Sequence, residues 1–258
     1  MDKHHKYSTN NQLQTPPSSY NTSIIIMPTN TAKIKLTYFD IEGVAEQCRL
    51  AFLLAGIPFQ DERIKFQEWK DLKPKTPYGK LPLLEIDDSP PKTQSQAILR
   101  YAASLDSTNN LYPLDKAFEV EECMGLIQDL QTSWTPNLYI SMAPQTYGHP
   151  EGYSKTDEGK ELVEKMRKTW IEQQLPGFLK YLETKLETNG GEFLCGTDQP
   201  TIADCYLVPI LRNFTKGHID YVDTECIQKN SPKLVEYVQR FCALPAIQGR
   251  YTSGLGSE

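Results

Sequence analysis

No two of the six cysteines are spaced C-x-x-C, so the sequence lacks both the dithiol redox motif and the usual zinc knuckle. They stand at Cys48, Cys123, Cys195, Cys205, Cys226 and Cys242, several on apolar helical faces. That pattern is one of buried, reduced thiols in a cytoplasmic protein, not of a disulfide framework. The four histidines show no metal-ligand spacing, so no metal is expected. No run approaches the roughly 18 apolar residues that a membrane span needs. A basic stripe interleaved with aromatics is also missing, and the net charge is −6, so nucleic acid is not an expected partner.

What is present is enough apolar material for a core: 258 residues, 39% of them hydrophobic, suit one large domain or two small ones. Residues 1–32 differ from the rest. From Tyr7 to Thr31, 15 of 25 residues are Ser, Thr, Asn or Gln, and Pro16, Pro17 and Pro28 interrupt any helix. Such a segment buries too little to order itself and reads as a disordered tail. The Ile24–Met27 run is too short for a signal-peptide core, and Met27 offers an alternative start. Residues 251–258 read as a flexible C-terminal tail.

The chain is organised around Lys33–Tyr101. Ile34 to Phe39 reads as a buried strand. Gly43 then opens a segment with apolar residues at Val44, Cys48, Leu50, Ala51, Leu54 and Ala55, a helical spacing closed by Gly56. Phe59 to Phe66 is a second strand, and a strand-helix-strand crossover makes a parallel pair. Tyr38 therefore lies near the carboxyl end of the first strand, where open α/β sheets bind ligands. Gln67–Pro74 is a short helix or turn ended by proline. Leu83 to Ile86 is a third strand, with Pro82 at its start. Thr93-Gln94-Ser95-Gln96 leads into a helix, whose exposed N–H groups and positive dipole end favour a carboxylate.

Beyond Pro113 the periodicity is helical throughout: Lys116–Tyr139, Thr156–Thr188 with a break at Pro176, Thr201–Asn213 and Ser231–Ala243. Thr201-Ile202-Ala203-Asp204 has the spacing of a capping box. The expected architecture is an α/β domain over 33–108 and an all-α domain over 116–250.

These pieces resemble the cytosolic glutathione transferases, most closely the sigma class that includes glutathione-dependent prostaglandin D synthase. The resemblance rests on Leu36-Thr37-Tyr38-Phe39-Asp40 with Gly43 and Ala45-Glu46, on Trp69 and Lys73, on Tyr78-Gly79-Lys80-Leu81-Pro82, on Gln94-Ser95, and on Thr201-Ile202-Ala203-Asp204. It spans Lys33 to about Ala246. It implies a thioredoxin-like first domain, a helical second domain and a homodimer, with Tyr78 a candidate aromatic key between subunits. It implies glutathione as co-substrate, activated by Tyr38. Leu81, before a cis Pro82, would pair with the peptide backbone. Gln94 and Ser95 would meet the γ-glutamyl carboxylate, and Trp69, Lys73 and Lys80 would hold the glycyl end. A hydrophobic electrophile would lie against Phe39 or Ile41, Val44 and the first long helix around Gln131, Trp134 and Leu138, with Trp134 reading equally as core.

Three departures stand out. Val44 replaces the arginine that many sigma members carry after the glycine, and Glu42 adds a negative charge nearby. A partner-subunit aspartate has no secure counterpart, since Thr132 and Ser133 hold the register beside Asp129. Two alternatives share the fold: a glutathione-dependent isomerase, and a crystallin-like protein without catalysis. A thiol-disulfide oxidoreductase is disfavoured because no cysteine adjoins Tyr38.

Overall fold

The computed structural model describes residues 32–251. The expected tail, except Ala32, and the alternative start at Met27 lie outside the described residues.

The first domain is a three-stranded sheet ordered β2-β1-β3, with β1 Ile34–Phe39, β2 Gln60–Ile64 and β3 Leu83–Ile86. β1 and β2 are parallel, with Tyr38 opposite Arg63; β1 and β3 are antiparallel, with Thr37 opposite Leu83. The second strand is shorter than its apolar ends suggest, because Phe59 and Phe66 fall outside the paired register. A further edge is reduced to a single bridge between Leu84 and Lys92. Pro90 and Pro91 precede Lys92 and have no N–H to give a ladder.

Between β1 and β2, one 3-10 turn at Gly43–Ala45 runs into α1, Glu46–Leu54. Its end is a Schellman motif: Ile57 N–H donates to Phe52 O at 2.9 Å and Gly56 N–H to Leu53 O at 3.1 Å, with Gly56 at φ +65°. The short α2, Trp69–Leu72, and then α3, Ser95–Ser104, complete the domain.

The second domain is helical: α4 Ala117–Met142, α5 Asp157–Gln173, α6 Leu175–Asn189, α7 Ile202–Thr215, α8 Cys226–Asn230 and α9 Pro232–Cys242. Pro176 sits in the first turn of α6, where its missing N–H costs nothing, so the long apolar segment divides there. α8 has no counterpart in the sequence reading. Only Cys226 and Ile227 of its five residues are buried, too few to show a period.

α7 is the central helix, packed against α1, α3, α4 and α9, and Ile202–Pro209 are all buried. Its capping box is present: Thr201 N–H donates to Asp204 Oδ2 at 2.7 Å, and Ala203 N–H to Thr201 Oγ1 at 3.2 Å. Since α1 of the first domain rests on α7, the two domains share one apolar core. Tyr251 is part of it. Read as flexible from sequence, it is only 5% exposed, because Arg212 lies over its ring and Glu46 accepts its hydroxyl.

Candidate functional site

Strand register gathers the candidate residues at one end of the sheet. β1 ends at Phe39, opposite Ile64, so Phe66 and Trp69 follow at that end. Thr37 faces Leu83, so the antiparallel register carries Leu81 and Pro82 to the same end. Continuing from the antiparallel Leu84–Lys92 bridge sets Gln94 opposite Pro82. The Leu81–Pro82 peptide is cis.

Tyr38 is the most buried of the polar candidates, 9% exposed. Its ring lies against Gly43, where a β-carbon would come 2.6 Å from both Cε1 and the hydroxyl oxygen. Gly43 also has φ +46°, so this position requires glycine for space as well as for backbone. Burial pushes the phenol above its ordinary value; the Val44 N–H donated to it pulls the other way, Tyr139 adds to the rise and Arg49 opposes it. The group stays protonated at neutral pH and is therefore a hydrogen-bond donor, not a base.

With valine at position 44, a positive charge still stands beside Tyr38. Arg49, one turn into α1 and wholly buried, stands with its guanidinium 5.9 Å from the Tyr38 ring centroid. It donates to the carbonyls of Ile41 at 3.0 Å and Glu42 at 3.1 Å, fixing the loop that delivers Val44. Asp61 at 2.9 Å and Glu46 at 3.1 Å balance its charge. Glu42, which threatened to oppose thiol ionisation, is neutralised by an ion pair with Lys216 at the end of α7.

The start of α3 is tied to this centre. The Cys48 thiol donates to Ser95 O at 3.3 Å, Gln96 Nε2 donates to Gln47 Oε1 at 3.2 Å, and Gln47 Nε2 donates to Val44 O at 3.0 Å. Burial raises the Cys48 thiol far above its ordinary value, which leaves it a structural donor. Gln94 caps α3 at φ +77°, a conformation that costs of order 1–3 kcal/mol in a non-glycine residue and clusters at functional sites. Its side chain is exposed and that of Ser95 half-buried.

On the other side, Phe39 packs edge-on to Tyr38 at 5.5 Å and to Trp69 at 5.7 Å, and stacks on Phe66 at 4.5 Å. The Lys73 side chain lies across Gly79, with Cε 3.4 Å from where a β-carbon would sit, and so comes next to Lys80. Both lysines are exposed. Ile41 is 44% exposed and Val44 half-buried, an apolar rim beside Tyr38, and Tyr139 of α4 approaches from the helical domain.

Trp134 is corrected. It faces the helical core, 5% exposed, between Trp170 at 4.9 Å and Phe214 at 5.1 Å. It shares the buried face of α4 with Cys123, Ile127 and Leu130, so the helix's own period turns it away from the rim.

Sequence reasoning missed Arg49, Tyr139, Lys216, Arg250 and Tyr251. One signal was available for Arg49: Glu46 and Arg49, three residues apart, are the charged residues of a helix that is otherwise apolar but for Gln47, and so need partners. Among the described residues no group of three or more His, Cys, Asp or Glu is placed to hold a metal ion, and no helix is long and apolar enough to cross a membrane.

The cis-proline, the strained helix cap and the buried phenol thus lie at one end of the sheet of a small α/β domain, which a helical domain follows. Residues 34–104 match the family described as glutathione S-transferase, N-terminal domain, and residues 151–251 match glutathione S-transferase, C-terminal domain. Glutathione S-transferase 1 of Ascaris suum is 31% identical over 214 residues, 83% of this chain and 93% of that protein. S-crystallin 2 of Enteroctopus dofleini is 31% identical over 178 residues, 66% of this chain and 77% of that protein. Among solved structures, a nematode-specific glutathione S-transferase of Caenorhabditis elegans superposes with a TM-score of 0.67 at 25% identity, covering 84% of this chain and 95% of that one. The chain belongs to the glutathione S-transferase family, enzymes that take glutathione as co-substrate.

Proposed function

We propose that this chain conjugates glutathione to hydrophobic electrophiles, and that the Tyr38 hydroxyl activates the sulfur. A thiol near pKa 8.5 is only a few per cent ionised at neutral pH, so a transferase must favour the thiolate. A phenol O–H donated to the sulfur does this by stabilising the charged form. The observation that carries the reading is the setting of Tyr38: protonated, packed on Gly43, accepting from Val44 N–H, with a buried guanidinium beside it.

In this reading the γ-glutamyl carboxylate meets Gln94, Ser95 and the positive end of α3. Leu81, before the cis Pro82, pairs with the peptide backbone, while Trp69, Lys73 and Lys80 take the glycyl carboxylate, the lysines as point charges. The electrophile rests on Phe39, Ile41 and Val44, with Tyr139 in place of Trp134. The sigma-type assignment, a cytoplasmic setting and a role in detoxification belong to the same reading. So does a homodimer, with Tyr78, 81% exposed at φ +59°, presented to the partner.

The test is Tyr38→Phe. Turnover of a chromogenic halonitrobenzene at neutral pH should fall by about tenfold or more, with glutathione affinity nearly intact. Unchanged turnover would reject Tyr38 as the activator. A crystallin-like role, suggested by the name of the octopus relative, would show as glutathione binding by the unaltered chain without turnover. An isomerase would use the same phenol and differ at the rim formed by Ile41 and Val44.

A further inference from the structure

The charge beside Tyr38 is held from the far end of the chain. Glu46 is wholly buried, and besides Arg49 it accepts from Arg250 Nη2 at 2.7 Å, from Arg250 Nε, and from the Tyr251 hydroxyl at 2.6 Å. The Tyr251 ring is itself clamped, with the Arg212 guanidinium of α7 3.8 Å from its centroid. A continuous path of contacts therefore runs from the helical domain through Tyr251 and Arg250 to Glu46. From there it passes to Arg49, to the carbonyls of Ile41 and Glu42, and to the loop whose Val44 N–H meets Tyr38.

Each link has a physical reason. A carboxylate with no access to water needs charged partners to remain ionised, and Arg250 supplies a two-pronged one. Only an ionised Glu46 holds the inner edge of the Arg49 guanidinium, whose outer edge is held by Asp61. With Glu46 protonated or turned away, Arg49 would lean toward Asp61 and release the 41–42 carbonyls.

We propose that Arg250 and Tyr251 are positioning residues for thiol activation, acting through Glu46 and Arg49 on the Tyr38 loop. This rests on Tyr38 being the activating group. Other charges face the same path: Asp61 from β2 on Arg49, Lys216 from α7 on Glu42, with His218 beside that pair, and Glu42 on Tyr251. Cys48 from α1 and Tyr139 from α4 face Tyr38 directly. Arg63 of β2 faces Arg250, and Cys48 faces Glu46; neither is altered in the variants below, so a change at Arg250 reads the proposed path.

The experiment is a pH titration of bound-glutathione thiolate absorbance in the full chain, for Arg250→Gln, Arg250→Lys, Tyr251→Phe and, as reference, Tyr38→Phe. Arg250→Gln should raise the thiol's apparent pKa by about half a unit, a roughly threefold fall in its ionisation constant. Glutathione affinity should stay unchanged. Arg250→Lys should recover part of the shift, since it restores the charge without the second prong. Tyr251→Phe keeps the ring under Arg212 and should give a smaller shift in the same direction. It decides the matter if Arg250→Gln fails to fold. An unmoved titration in the folded variants, with Tyr38→Phe shifted, overturns this proposal alone. An unmoved titration in Tyr38→Phe overturns the activation reading and this one with it.

Discussion

Glu46, between the two domains, and Asp204, at the start of α7, are both wholly buried carboxylates, yet their partners differ in kind. Burial alone would raise Glu46, but the hydrogen bond and charge of Arg250, with Tyr251 and Arg49, hold it down at about 2. Asp204 has only neutral donors: Leu194 N–H at 3.0 Å, Thr201 N–H at 2.7 Å, Thr201 Oγ1 at 3.0 Å and the Tyr237 hydroxyl at 2.7 Å. Burial there wins, and the carboxyl is pushed up. The first arrangement ties distant segments together through charge and bears on a reactive centre. The second staples one helix start to its surroundings and bears on folding.

The contrast breaks most sharply at Asp204. Asp204→Ala strands two backbone N–H groups and two hydroxyls in a dry interior, and should cost roughly 3–5 kcal/mol in urea unfolding. A loss under about 1 kcal/mol would show that the cap is not the anchor of the helical domain.

Glu46→Gln comes next, at roughly 2–3 kcal/mol, since Arg49 keeps Asp61 and Arg250 keeps some contact with water. The pH dependence has a definite sign. Because the folded carboxyl lies at about 2, below its ordinary 4.5, its contribution is full above about pH 4.5 and is lost as pH falls toward 2. The stability gap between the native chain and Glu46→Gln should therefore close over that window. A gap that stays constant down to pH 2 would mean the ion pairs do not stabilise the fold. Thr201→Ala is the smallest change, about 1 kcal/mol, because Asp204 keeps the backbone N–H of residue 201. An effect as large as that of Asp204→Ala would place the cap's strength in the hydroxyl.

The two sites also differ in how far they could be read. The Thr201–Asp204 box is four residues of local chemistry, and its spacing alone announces it. β1 and β3 were legible to the residue because apolar runs bounded by Gly43 and Pro82 leave little freedom. The division at Pro176 followed from one missing N–H. Glu46 was different, since its partner lies 204 residues away in a segment that composition marks as a loose end. Trp134 misled for a related reason. An aromatic on a long helix suits a rim or a core equally well, and only the packing of α5 and α7 against α4 chose.

By itself, the sequence determined the order of the strands and of the longer helices and the Thr201 cap, because each depends on contacts within a few residues or on backbone stereochemistry. Tertiary structure decided which buried charges meet, which aromatics face the rim, and that the C-terminal residues Arg250 and Tyr251 reach back to α1. Those outcomes turn on the free energy of leaving an ion in a dry interior, which is settled only when distant parts of the chain arrive together.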